Sequence, residues 1–148
     1  AGIYHRDLHD RNIMIDEEND KAIIIDLGTA TTNPNISNPQ NRLYGGNNDL
    51  ISLGQLMYKM ATGHNLFNEE NGQSQQSPTK NHIKTEREKA YETKETLQPY
   101  LNKVKENIQE SNLAKLITNI LDDKLWTQPD KEKVEETKKT IEEYLSSV

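Results

Sequence analysis

Two short apolar runs constrain this chain more than any other feature: Ile13 to Ile15 and Ala22 to Ile25, with the polar turn formers "DEENDK" between them. Runs of β-branched residues closed by such a connector predict a hairpin with a five-to-six-residue connection. A hairpin returns the end of its second strand to the start of its first. Asn12, just before the first run, and Asp26, just after the second, are therefore expected at one edge of a small sheet. Asp7 precedes Asn12 by five residues and Asp26 by nineteen, so the turn-rich "HRDLHDRN" feeds a carboxylate toward the same edge.

The remaining periodic stretches read as helices, which makes the expected fold mainly α with a small β-hairpin, an α+β arrangement. "DLISLGQLMYKMAT", Asp49 to Thr62, is apolar on nearly every side and is followed by Gly63, a helix-stopping residue; it predicts a buried central helix. A second helix is expected from Thr85 or Thr93 to Gln109. A third runs from Asn112 to Leu121, with Leu113, Leu116, Ile117, Ile120 and Leu121 on one face and Ser111 as N-cap. A last helix, Asp130 to Ser146, carries a narrow stripe of Val134, Thr137, Ile141 and Leu145 on a charged rod whose alternating charges read as a solvated face. Trp126 is expected to fill a gap between the last two helices.

Between the hairpin and the central helix lies a long stretch rich in Asn, Thr, Pro and Gly that reads as an irregular loop. "NEENGQSQQSPTKN", Asn68 to Asn81, is polar and of low complexity, which marks a flexible connector. The expected organisation is residues 1–67 as one unit holding the charged cluster and hairpin, residues 68–82 as connector, and residues 83–148 as a helical remainder. Residue 1 stands so close to the charged cluster that the sequence reads as cut there, with part of its fold supplied from elsewhere.

Composition removes some functions. A net charge of −6 argues against a duplex-binding surface, which needs clustered Lys and Arg, so nucleic acid is not an expected partner. With no Cys there is neither a disulfide framework nor a thiolate metal site, and a cytoplasmic chain is the expectation, in the host cytoplasm if the protein is a secreted bacterial effector. No apolar run approaches the roughly 18 residues that span a bilayer. His5 and His9 are spaced like helical zinc ligands, but no Glu follows His5 and the segment leads into a strand.

The converging oxygens suit magnesium, which takes one or two protein carboxylates and completes its octahedron with water and substrate phosphates. Asn12 and Asp26 fit that demand, with Mn2+ as a substitute ion. Asp7, nearby but off the metal, fits a group that accepts a hydroxyl proton during in-line phosphoryl transfer. Gly28 lets the backbone turn tightly beside Asp26.

These residues carry a resemblance: "HRDLHDRN" resembles the catalytic loop of eukaryotic-type protein kinases, "DLG" resembles their DFG motif, and "DLISLGQLMYKMATG" resembles the central helix of the kinase C-terminal lobe. The resemblance implies a protein-kinase-like C-terminal lobe acting on ATP and a protein substrate. It makes Asp7 the catalytic aspartate, Asn12 and Asp26 the metal ligands, and Asp49 the acceptor that anchors the catalytic loop. It places Ile13, Met14 and Ile15 beneath adenine, Met14 closest, with support from Leu56 and Met60. His5 and Leu27 fall in a second apolar column, and Arg6 becomes the residue that holds a phosphorylated activation segment, with Thr29, Thr31, Thr32 and Ser37 as nearby acceptors.

The likeness has departures. His9 stands where Ser/Thr kinases carry Lys, and the pattern H-x-D-L-H-x-x-N is that of aminoglycoside-type small-molecule kinases. No A-P-E closes the activation segment, and "LDDKLWTQPDKEKVEE" lacks the Arg that would pair with its Glu. The Gly-rich loop, the strand Lys and its helix Glu do not appear in the sequence, so an N-terminal lobe or a partner chain is implied. The expected function is transfer of the ATP γ-phosphoryl group to Ser or Thr; a small-molecule kinase and a non-catalytic interaction module are the alternatives.

Overall fold

The structure is a computed structural model, and it describes residues 3–32, 45–68, 85–122 and 130–148. Strands β1 (Ile13–Asp16) and β2 (Lys21–Ile24) pair antiparallel, with Ile13 opposite Ile24, Met14 opposite Ile23 and Asp16 opposite Lys21. The strands are each one residue longer at the turn than the apolar runs, leaving a connection of Glu17 to Asp20. Asp16 explains the shorter turn: its carboxylate accepts the backbone N–H of Asn19 at 3.3 Å and the Asn19 side-chain amide at 2.7 Å. Asp20 closes the turn at φ 53°, a left-handed conformation that Asp tolerates.

Helices α1 (Gly45–Thr62), α2 (Glu86–Ala90), α3 (Lys94–Asn107), α4 (Ser111–Leu121) and α5 (Asp130–Ser147) follow the hairpin in the chain. The core lies among α1, α3 and α4, with Leu66, Phe67 and Tyr91 closing it. Tyr91 is buried and donates its hydroxyl to Leu121 O at 2.8 Å, and burial pushes its phenol up. Gly54 lets α1 approach α4 closely: a Cβ there would lie 2.5 Å from Leu121 Cδ2.

Several expectations are corrected. Helix α1 begins four residues before Asp49, about one turn earlier. It is buried on one face rather than all round: Leu50, Ile51, Gly54 and Tyr58 turn inward, whereas Met60, 200° round from Tyr58, is 77% exposed. The helix expected from Thr85 or Thr93 is two helices, because both threonines are N-caps: Thr85 accepts from Glu88 N–H, and Thr93 forms a capping box with Thr96. The cap of α4 is Glu110, whose carboxylate accepts from Asn112 N–H and Leu113 N–H, so Ser111 is the first helical residue.

The inward face of α5 is also shifted. Lys133 is buried and Thr137 with it, while Val134 and Leu145 are exposed. Lys133 Nζ sets that rotation by donating to Asn119 O at 2.8 Å and pairing with Asp122 at 3.2 Å, a cation at the C-terminal end of α4. Trp126, Ser37 and residues 69–82 of the expected connector lie outside the described residues.

Candidate active site

The segment around His5 and Arg6 is held from below by one carboxylate. Asp49 Oδ2 accepts the backbone N–H of His5 and Oδ1 that of Arg6, each at 2.8 Å. Asp49 lies one turn inside α1, so the loop is fixed to a helix that packs into the core. Both bonds are charge-assisted, roughly twice as strong as neutral ones. They hold Arg6 at φ 74°, a left-handed conformation costing on the order of 1–3 kcal/mol for a residue with a Cβ.

His5 joins the loop to the far end of the hairpin. Its Nδ1 accepts Asp7 N–H at 3.1 Å, so a neutral ring carries its proton on Nε2, which donates to Ile25 O at 2.9 Å. Ile25 N–H in turn donates to Asn12 O at 2.8 Å. Ile25 is thereby fastened to the start of β1 by its amide and to His5 by its carbonyl, and its successor Asp26 emerges beside both. Asp26 is also left-handed, at φ 58°, and turns the chain away from the sheet. The next residues run back along the loop: Thr29 Oγ1 donates to His5 O at 2.8 Å, and Tyr4 and Thr31 exchange backbone bonds of 2.8 and 2.9 Å.

Asn12 is buried at 5% exposure, and its amide orientation is dictated by its neighbours. Nδ2 donates to Asp7 O at 2.7 Å and lies 3.4 Å from Asp7 Oδ2. The nitrogen must face that carbonyl, which leaves Oδ1 without a protein partner among the described residues. A buried amide oxygen in that position asks for a donor or a cation.

His9 completes the cluster. Its Nδ1 accepts Arg11 N–H at 3.1 Å, and its Nε2 lies 3.6 Å from Asp7 Oδ2 and 3.1 Å from Asn12 Nδ2. The side chains of His9 and Asn12 thus crowd the same Asp7 oxygen. Immediately after His9, Asp10 pairs with Lys59 of α1 at 2.8 Å, and the Lys59 hydrogen bond holds the Asp10 carboxyl below its ordinary value.

A family model described as "Protein kinase domain" matches residues 1–135 of the 148. The chain belongs to the protein kinase domain family. Neither a curated protein nor a solved structure matches it. The helical body with one antiparallel hairpin is compatible with a kinase fold.

In this kinase-family chain the other residues singled out by sequence fall as follows. Met14 is 58% exposed and shares a sheet face with its cross-strand partner Ile23; Ile13 and Ile15 alternate to the opposite face, so only Met14 of the three can meet a ligand on the Met14 side. Leu56 is half-buried, and Leu27, expected to stack with the buried His5, is 60% exposed. Gly28 has no left-handed φ; its smallness matters because a Cβ would lie 3.3 Å from Asp26 Oδ1.

Three contacts escaped the sequence reading: Asp10 with Lys59, Thr29 with His5 O, and Tyr4 with Thr31. Lys59 carried a signal, as the single charged residue between Leu50 and Thr62. The other two depend on backbone geometry that no residue pattern announces. No helix among the described residues is long and apolar enough to cross a membrane.

Proposed function

We propose that this chain forms the C-terminal lobe of a protein kinase, one that transfers the γ-phosphoryl group of ATP to Ser or Thr hydroxyls of a protein with Asp7 as the catalytic carboxylate. The observation that carries the reading is the orphaned Oδ1 of buried Asn12, set beside Asp7 and, through Ile25, beside Asp26. That donor set fits Mg2+ or Mn2+: one amide oxygen and one carboxylate, with phosphate and water for the remaining positions. When bound, the ion neutralises charge on the phosphates.

The chain's own residues do the rest. Asp7 accepts the proton of the acceptor hydroxyl as its oxygen attacks the γ-phosphorus and the bond to the bridging oxygen of the nucleoside diphosphate breaks. Asn12 and His9, both against Oδ2, fix the carboxylate's rotation. Asp49 keeps the loop in register, and Arg6 is positioned to receive an anionic group from the segment after Asp26. Met14 and Ile23 offer an apolar floor for adenine. The opposite face, Ile13, Ile15 and Ile24, is covered by an N-terminal lobe or a partner chain, since a lone two-stranded hairpin is marginal in water.

His9 beside Asp7 favours a second reading, in which the acceptor is the hydroxyl of a small molecule. The test is transfer of labelled γ-phosphate from Mg-ATP by the protein, with protein and small-molecule acceptors offered side by side. Label on Ser or Thr of a protein supports the first reading and label on the small molecule the second. A folded protein that labels neither is a non-catalytic interaction module.

A further inference from the structure

A cavity lies away from this site. It has a volume of ≈ 780 Å³ and opens at the C-terminal end of α1, between the ends of α3 and α4. Thirteen residues of α1 separate Asp49 from Thr62 in its wall, about 20 Å of helix. The volume falls in the range of small-molecule sites.

Its wall has an apolar side and a cationic side. Ala61, Ile108 and Leu113 supply the first. Lys103 supplies the second: it is half-buried, gives one hydrogen bond of 3.3 Å to Leu66 O, and pairs with no carboxylate among the described residues. A half-buried ammonium that no described carboxylate engages can give a charge-assisted hydrogen bond to an incoming anion.

The wall carboxylate, Glu110, does not fill that role. Its oxygens accept Asn112 N–H at 3.0 Å, Leu113 N–H at 2.8 Å and the Tyr144 hydroxyl at 3.1 Å. Two further polar groups face the same space. Asn107 gives its amide nitrogen to Tyr58 Oη at 2.9 Å, while the exposed His64 ring makes no hydrogen bond among the described residues.

We propose that this cavity is a binding site for a small amphipathic anion, a carboxylate or phosphate carried on an aromatic or short aliphatic body. The head sits on Lys103 with His64 as a second donor, and the body lies against Ile108 and Leu113. The assignment is independent of phosphoryl transfer at Asp7.

The test uses three probes that share one ring system: 2-naphthoate, 2-naphthyl phosphate and uncharged 2-naphthylmethanol, titrated into the full chain while backbone amide shifts are followed by NMR. At least one anion is expected to bind, with shifts clustered at residues 61–64 and 103–113, and the stronger of the two names the head group. Lys103→Met, which keeps the aliphatic stem, is expected to weaken that anion by about 10-fold, the loss of one charge-assisted hydrogen bond, and to leave the alcohol unchanged. Lys103→Arg is expected to restore binding. The proposal is overturned if neither anion binds, if Lys103→Met binds the anion as tightly as the parent, or if the shifts gather on the hairpin at residues 13–24.

Discussion

The hairpin with its loop and the helical body are built on opposite principles. In the body, apolar side chains are sequestered: Ile51, Val104 and Ile117 are fully buried, and α1, α3 and α4 close on them. In the hairpin region the apolar side chains are outside, with Met14, Ile15, Ile23 and Ile24 all exposed, and order comes from polar bonds to backbone atoms. Asp49, His5, Asn12 and Thr29 each satisfy a main-chain group of the loop or the strand ends. A core resists change through packing, whereas a bonded loop can present its side chains to a ligand at defined positions without burying them. The first region supplies stability and the second supplies geometry.

The strongest way to break the comparison is in the body. Ile117→Ala leaves a cavity at the centre of the helical core and is expected to cost about 2–5 kcal/mol in denaturant unfolding. A loss below about 1 kcal/mol would mean that the helices do not share one core.

Next comes the bolt between the regions. Asp49→Ala removes two charge-assisted bonds, worth roughly 1.5–3 kcal/mol each, but these are bonds of the loop. Hydrogen exchange at the His5 and Arg6 amides is expected to accelerate strongly while the amides of α3 and α4 keep their protection. Uniform loss of protection would show that loop and body unfold together.

How far the sequence carried depended on the same division. Features set by local chemistry were legible: the hairpin from its β-branched runs, the face of α4 from its spacing, and both threonine caps as alternative helix starts. The neighbourhood of Asp7, Asn12 and Asp26 was legible because a hairpin leaves few ways to place its strand ends. Orientation set by long-range contacts was not legible. Lys133 rotates α5 by reaching across to Asn119 and Asp122, although its neighbours read as a solvated face. Met60 turns outward, on the side of α1 away from Tyr58, because α1 packs on its neighbours along one face only. The orphaned oxygen of Asn12 needed the position of the Asp7 carbonyl, which no residue pattern encodes.

Smaller effects sharpen the contrast. Met14→Ser is expected to change unfolding free energy by less than about 0.5 kcal/mol, since the side chain is mostly in water, yet to weaken ATP binding measured by calorimetry. Unchanged affinity would remove Met14 from the nucleotide floor.

The smallest effect belongs to the exposed pair of Asp10 and Lys59. Lys59→Met is expected to cost at most about 1 kcal/mol near neutral pH. Because the folded-state pKa of Asp10 is lowered, the pair's contribution is present above the ordinary carboxylate value of 3.8 and is lost as pH falls through the lowered one. Parent and variant should therefore converge in stability in acid; a difference that persists there would assign the effect to packing of the Lys59 stem.

The central claim is that Asp7 does chemistry and does not hold the fold. It is tested most directly by the rate of labelled γ-phosphate transfer from Mg-ATP by the Asp7→Asn protein, with nucleotide affinity measured in parallel. The account predicts a rate lowered about 10²–10⁴-fold, the usual contribution of a positioned acid–base group, at an affinity within about 3-fold of the parent. An Asp7→Asn protein that transfers phosphate at the parental rate would contradict it.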